Sequence, residues 1–296
     1  MQQALKDWFF DILRAPDTGE PLSLADDGCS LSAPTGTFSV EEGIPSFVNT
    51  EADEGKTVFN YAAHYTTDAE EFDYFGDETD SLTAAHLRLL RHDVVQQVPA
   101  DARLLLDVGC GCAFVAERFA GRERRVVSLD IASANAHKAL REYPGEGHAA
   151  VVADAYHLPF ADGTFDCIIA SEIIEHTVNP QGFVASLLSK LRPGGTLVIS
   201  TPYKERIAYS LCIHCNCKTP HNAHLHSFDK AKMQHIVEPL DGEISRMRLV
   251  GNKLLLHSHL SMLLSHLGYG IWGFVDRVTN RLLPKAEHFV ITVRKK

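Results

Sequence analysis

From residue 104 onward, short apolar runs alternate with stretches of helical spacing. The run Leu104-Leu-Leu-Asp-Val108 ends at Gly109 and Gly111, and Phe114, Val115, Arg118 and Phe119 then recur at helical intervals. Arg125–Asp130, His148–Asp154, Phe165–Ser171 and Thr196–Ser200 are further apolar runs, and each reads as a buried strand. Ser133–Tyr143 and Gln181–Leu191 have helical spacing, with Ser133 as expected N-cap of the first and Arg192-Pro-Gly-Gly195 as the stop of the second. Apolar strands alternating with helices bury both faces of a parallel sheet, so the pattern predicts an α/β, doubly wound fold. A glycine turn between a strand and a helix N-terminus lets backbone approach a ligand closely and points N–H groups at it.

The flanks follow other rhythms. Residues 1–50 read as a small β leader, turn-rich at Leu13–Leu22, with short alternating strands at Cys29-Ser-Leu and Thr37-Phe-Ser-Val. Residues 51–100 are polar and then helical, a lid or linker in which Leu87, Leu90, Val94 and Val98 mark a helix ending at Pro99. Phe59, Tyr61, Tyr65, Phe72, Tyr74 and Phe75 cluster in this segment, either to fold over a ligand or to anchor the segment to a core. Residues 101–296 form the main domain, with two insertions. The first, 203–227, is rich in cysteine and histidine and has little periodicity. The second, 251–285, is apolar, helical and broken by Gly268, Gly270 and Gly273. Asp229–Val237 reads as a helix, and Glu243–Val250 with His288–Arg294 as an edge hairpin around the second insertion.

Composition narrows the partners. With 296 residues, 45% hydrophobic and 22% charged, the chain can bury a sizeable core. A formal charge of −10 argues against general nucleic-acid binding, although Arg122–Arg125 is a small basic patch. No window reaches the roughly 18 apolar residues of a membrane span, and the start has no signal-peptide pattern. Seven cysteines, two of them in the glycine turn and one in a predicted strand, are no disulfide framework, and the expected compartment is a reducing cytoplasm.

A glycine turn alone is weak evidence, but its neighbours discriminate. Asp107 precedes the turn, Asp130 ends the second strand about twenty residues on, and Asp154-Ala155 ends the third. Leu158-Pro-Phe-Ala-Asp-Gly-Thr-Phe-Asp166 and Leu191-Arg-Pro-Gly-Gly-Thr-Leu197 follow. Together, over residues 100–203, these motifs resemble the class I S-adenosylmethionine-dependent methyltransferases. The departure is Ala113, where the third glycine usually stands. The resemblance implies a seven-stranded, mostly parallel sheet. It also implies that Asp107 and the backbone of Gly109, Cys110 and Gly111 hold the methionine end of S-adenosyl-L-methionine. Asp130 would take the ribose, Ile131 would lie against adenine, and Asp154 with the Ala155 N–H would receive the adenine amine. Ser171 and Glu172 would close the sulfonium side. The leader resembles the small zinc-ribbon-like unit ahead of some methyltransferases. Ala15, Thr18 and Cys29 stand where that pattern has cysteines, which predicts a metal-free remnant or a plain hairpin appendage.

Ser171-Glu-Ile-Ile-Glu-His176 follows the fourth strand, at the end where open α/β sheets carry substrate sites. It resembles the glutamate–glutamate–histidine segment of ubiquinone-biosynthesis O-methyltransferases and small-RNA 2′-O-methyltransferases. In the metal-using members a later histidine completes the site, and His224-Leu-His226-Ser-Phe228 stands in that place. Glu172, Glu175, His176 and His226 are therefore one candidate set for zinc, magnesium or manganese. In the metal-free alternative, His176 with Glu172 and Glu175 serves as base or substrate orienter. A second candidate set, Cys212, Cys215, Cys217 and His221, would bind zinc across the first insertion; the same residues could instead line a pocket or respond to redox state. The apolar stretch 254–283 could face lipid, wall a hydrophobic acceptor site, pack on the domain or join two copies as a homodimer.

The function expected from these residues is O-methylation of a small-molecule acceptor, with RNA methylation and a non-catalytic module that binds a metal or partner as the alternatives. The acidic charge weighs against RNA, and the intact cofactor acids weigh against the module.

Overall fold

Why the chain adopts its sheet is visible in burial. In a computed structural model, which describes residues 4–48, 60–76, 80–213, 215–258 and 260–296, Leu105, Leu106, Val126, Val127, Val151, Ile168, Ile169, Val198 and Ile199 are all at or near zero exposure. Runs with no polar side survive only in strands covered on both faces. Phe59 of the aromatic cluster lies outside the described residues.

The leader holds helix α1 (Asp7–Phe10) and strands β1 (Ser23–Leu24), β2 (Ser30–Ala33), β3 (Gly36–Glu41) and β4 (Ile44–Pro45). Helices α2 (Tyr61–Glu71) and α3 (Ser81–Val95) follow. Then come β5 (Leu104–Val108), α4 (Phe114–Phe119), β6 (Arg125–Asp130), α5 (Ser133–Glu142), β7 (His148–Val152), β8 (Phe165–Ser171), α6 (Pro180–Lys190) and β9 (Leu191–Pro202). The remainder is the hairpin β10 (Tyr209–Leu211) and β11 (Lys218–Pro220), α7 (Lys230–Val237), β12 (Gly242–Asn252), the helices α8 (Lys253–His257), α9 (Leu260–His266) and α10 (Tyr269–Leu282), and β13 (Ala286–Lys295).

Seven strands form one sheet in the order β12-β13-β9-β8-β5-β6-β7. The β5–β6 and β6–β7 pairs are parallel, while β13 runs antiparallel to β9 and β12. This is the expected doubly wound fold with its antiparallel edge hairpin and helical insertion. Two details differ. The N-cap of α5 is Ala132, not Ser133, because Oδ1 of Asp130 already receives the Ala132 N–H at 3.0 Å, while the Ser133 hydroxyl lies 3.1 Å from Nδ1 of His137. The fifth strand begins at Leu191, five residues before the expected start at Thr196.

The chain divides into two compact units. The first contains residues up to Gly76, Ala100–Ile169 and Ser186–Gly195. Within it the leader runs along β7: Ser46 bridges Val152, the Phe47 amide donates to the Val152 carbonyl at 2.8 Å, and Ile44 packs with Ala136, Leu140, Ala150 and Val152. His148 is fully buried, its Nε2 2.9 Å from the Ser128 hydroxyl and its Nδ1 2.7 Å from the Tyr143 carbonyl.

The second unit contains Asp77–Pro99, Ala170–Ala185 and Thr196–Lys296, so the segment 51–100 is shared between the two. Here α10 is fastened by its inner face. Asp276 accepts from the amides of Gly251 (3.1 Å) and Asn252 (2.7 Å), and the Asn252 side chain donates to Asn280 (2.8 Å). Trp272, Asp276 and Asn280, spaced by four, are all buried on that face. Arg248 on β12 pairs with the nearly buried Asp93 of α3 at 2.6 Å.

Candidate active site

In the first unit, β5 ends in a turn whose backbone is left-handed at Gly109 (φ 65°), Gly111 (φ 45°) and Ala113 (φ 53°). Glycine adopts this region freely, whereas alanine does so at a cost of about 1–2 kcal/mol. Ala113 thus keeps the conformation that a third glycine would have supplied without strain. Asp130 ties the turn to β6, its Oδ2 accepting from the Gly111 amide at 3.2 Å and from Asn135 at 3.3 Å. Burial raises the Asp130 carboxyl above its ordinary range, against the pull of the Ala132, Gly111 and Asn135 hydrogen bonds. Burial, then the nearby Asp130 and Asp107, raises the Cys110 thiol far above its usual value, so Cys110 packs as a neutral apolar group. Asp107 is 1% exposed.

After β7, Oδ1 of Asp154 receives the Tyr156 amide at 2.9 Å and Oδ2 receives the hydroxyl of Tyr61, the first residue of α2. The carbonyl of Ala155 accepts from the Ser186 hydroxyl at 2.8 Å. The aromatic segment reaches the glycine turn as well, since a Cβ on Gly111 would sit 3.7 Å from the Tyr74 ring. Lys138 of α5 pairs with Asp73 and lies 5.1 Å from the centre of the Phe75 ring. Residues 61–76 therefore cover the turn and Asp154.

In the second unit, Ser171 ends β8 with its hydroxyl 2.8 Å from that of Ser200. Glu172 follows with φ 58°, a left-handed conformation that a non-glycine residue holds only when its surroundings compel it. Its amide donates to the Ser200 carbonyl at 3.0 Å, its Oε1 accepts from the Ser200 hydroxyl at 2.7 Å, and its Oε2 lies 3.0 Å from Nε2 of His288 on β13. Burial works to raise the Glu172 carboxyl, but the charge of His288 and the hydrogen bonds from His288 and Ser200 hold it below the usual carboxylate range. His288 is raised in turn, the carboxylate outweighing the effect of burial. Behind it stands His86 of α3, ring centres 5.0 Å apart. Burial, with His288 second, lowers His86 to about 4.

Three residues farther along, Glu175 is 1% exposed. Its Oε2 accepts from Thr201 at 3.0 Å, and its Oε1 has no hydrogen-bond partner among the described residues. Burial and then the charge of Glu172 raise it well above the carboxylate range. Its backbone carbonyl takes the amides of Leu225 (2.8 Å) and His226 (3.2 Å), which brings the His224 ring to 4.8 Å from that of His176. Nδ1 of His224 lies 2.6 Å from Glu205. One ligand atom each from Glu175, His176 and His224 falls within 4.8 Å of the others. A cavity of about 440 Å³ opens beside Glu172, Glu205, His224, Lys253 and His288.

Residues 106–199 match the family described as a methyltransferase domain. Over these residues the chain is similar to methyltransferase domains, and its seven-stranded sheet has the class I methyltransferase fold. A probable S-adenosylmethionine-dependent methyltransferase of Mycolicibacterium smegmatis is 34% identical over 127 residues, 40% of this chain and 46% of that protein. The ubiquinone biosynthesis O-methyltransferase of Parvibaculum lavamentivorans is 33% identical over 136 residues, 44% and 51% respectively. The chain therefore aligns over about half the length of these curated relatives. Among solved structures, the magnesium protoporphyrin IX methyltransferase of Synechocystis PCC 6803, crystallised with bound SAH, has a TM-score of 0.54 at 12% identity, over 80% of this chain and 98% of that one. At that identity the likeness is one of fold.

The structure groups the candidate ligands differently from the sequence expectation. Glu175 and His176 converge with His224 rather than His226, and Glu172 is turned away to Ser200 and His288. The His226 ring instead lies 6.1 Å from that of Phe228. The cysteine set does not converge. Cys212, Cys215 and Cys217 stand at the tip of the β10–β11 hairpin, and Nε2 of His221 lies 2.5 Å from the Ser210 hydroxyl. Among the described residues, no other group of three potential ligands comes as close as Glu175, His176 and His224. Sequence reasoning missed His288, His86 and Glu205 altogether, and it read Tyr61 only as one aromatic of a possible lid.

Proposed function

We propose that the chain is an S-adenosyl-L-methionine-dependent methyltransferase that methylates an oxygen of a small-molecule acceptor with the help of a divalent ion. One observation carries the reading: the left-handed turn at Gly109 and Gly111 is hydrogen-bonded to Asp130 inside the segment that matches the methyltransferase family. In this reading Asp107 and the amides of Gly109, Cys110 and Gly111 hold the methionine end. Asp130 accepts the ribose hydroxyls, Ile131 lies against adenine, Asp154 and the Ala155 N–H meet the adenine amine, and Ser171 borders the sulfonium. The bound donor supplies an electrophilic methyl group, and the chain supplies orientation, the larger share of the acceleration in such a transfer.

The acceptor would occupy the cavity beside Glu172 and His288. As its oxygen–carbon bond forms and the carbon–sulfur bond breaks, the hydroxyl proton needs a receiver. Glu172 is suited to that role, because His288 and Ser200 keep it ionised at neutral pH.

The donor set beside Glu172 fits a metal. Buried Oε1 of Glu175 lacks a partner, His176 and His224 offer imidazole, and Glu205 orients the His224 ring as outer carboxylates do around metal-bound histidines. Zinc, manganese or magnesium held by Glu175, His176 and His224 would bind acceptor oxygens and lower a hydroxyl pKa.

Isothermal titration with S-adenosylhomocysteine tests the donor site. Wild type should bind, and Asp130→Asn should weaken binding roughly 10- to 100-fold, the worth of charge-assisted hydrogen bonds. No binding by wild type ends the proposal. Elemental analysis of wild type and His224→Ala, with and without chelator, tests the metal, and equal metal content in the two proteins refutes the assigned ligands.

A further inference from the structure

The helices between β12 and β13 do more than close the edge hairpin. Their inner face is committed, through Trp272, Asp276 and Asn280, to the second unit. Their outer face is apolar and bare. On α10, Ile271, Phe274, Val278 and Leu282 fall on one stripe and are 45–75% exposed, and Leu263 of the neighbouring α9 and Leu267 just past its end add 60% and 52%. A monomer rarely leaves so many large apolar side chains together in water.

Charge identifies what covers them. Residues 253–285 contain a single acid, Asp276, which is buried against the amides of Gly251 and Asn252. The exposed charges are the cations Arg277, Arg281 and Lys285, in a chain whose total is −10. Apolar side chains flanked by cations, with acids withdrawn, are the pattern of helices that lie in the interface of an anionic bilayer. A second copy of this chain is a poorer match, because a two-fold contact would set Arg277, Arg281 and Lys285 against themselves. Repulsion from acids elsewhere on the protein is screened beyond about 10 Å at 0.1 M salt. The 14 residues of α10 are too few to cross a bilayer, and no described helix is long and apolar enough to do so.

We infer that α9 and α10 form a docking surface for an anionic lipid membrane, on which Phe274, Leu263 and their neighbours enter the interface while Arg277, Arg281 and Lys285 meet the headgroups. This goes beyond the proposed methylation and does not depend on it.

Cosedimentation of the full chain with vesicles tests it, without donor or acceptor present. The protein should bind vesicles of phosphatidylcholine mixed with phosphatidylglycerol and be released by high salt, and it should bind phosphatidylcholine alone far more weakly. Arg277→Gln with Arg281→Gln should weaken partition roughly 25-fold, and Leu263→Ser with Phe274→Ser by more than tenfold, with thermal unfolding midpoints near that of wild type in both. No binding to the mixed vesicles, equal binding to both kinds, or binding unaffected by either pair overturns the inference. So does a dimer in sedimentation equilibrium that the Leu263–Phe274 pair dissociates, since the face is then the contact between two copies.

Discussion

Gly251 of β12 has φ 73°, and a Cβ built on it would stand 1.8 Å from Nε2 of His86. Alanine at this position meets two separate penalties. The left-handed backbone costs about 1–2 kcal/mol for any residue with a Cβ. The overlap with a buried ring that is itself backed by His288 adds a repacking cost of about 1–3 kcal/mol. Gly251→Ala should therefore lower stability by about 2–5 kcal/mol. Truncating His86 to alanine removes the obstructing ring and leaves only the strain, so the same glycine substitution in that background should cost about 1–2 kcal/mol. The difference, about 1–3 kcal/mol, is a coupling that a double-mutant cycle reads directly. Urea unfolding of the four proteins is the assay, with a common m-value as the condition for comparing them. Equal costs of Gly251→Ala in both backgrounds would refute the packing of His86 against Gly251.

Two further predictions concern the first unit. Burial lowers His148 to about 4, so below pH 6.5 an unfolded chain takes up a proton that the native ring refuses. This stabilisation is complete above pH 6.5 and is lost as pH falls toward 4, amounting to about 3 kcal/mol. Wild type should accordingly lose about that much relative to His148→Gln between pH 7 and pH 4 in urea unfolding, and a pH-independent gap would contradict it. Tyr61→Phe removes the hydroxyl that orients Asp154 and should weaken S-adenosylhomocysteine binding about 2- to 10-fold by calorimetry; unchanged or tighter binding would show that Tyr61 has no part in the donor site.

The sheet was readable from one residue type after another. Arg125–Asp130 and Phe165–Ser171 are strands with the expected boundaries, because an uninterrupted apolar run has no other stable place than a doubly covered strand. Glu172, Glu175 and His176 were readable as neighbours for the same local reason. The choice between His224 and His226 was not. The Glu175 carbonyl holds the amides of Leu225 and His226, while the His224 amide donates to the His221 carbonyl, and which ring then turns toward His176 depends on the course of the chain through 221–226. His288 and His86 gave no local signal at all. Each is a single histidine in an otherwise ordinary strand or helix, and only the pairing of β13 with β9 carries His288 to a carboxylate 116 residues earlier in the chain. Tyr61 is similar: its ring was counted among many, and its hydroxyl acquires a role only from Asp154.

The leader, finally, bears on how this protein behaves when cut. Ser46 and Phe47 occupy the hydrogen-bonding side of Val152, and Ile44 seals the apolar patch beside it. β7 is the last strand of the sheet on that side, and a bared last strand is a template for another chain. Trimming the protein back to the strands that follow the leader would thus remove a guard as well as an appendage. The shortened chain would keep its glycine turn and its acids, yet its molecules would recruit one another edge to edge, and the loss would register as turbidity rather than as a missing activity.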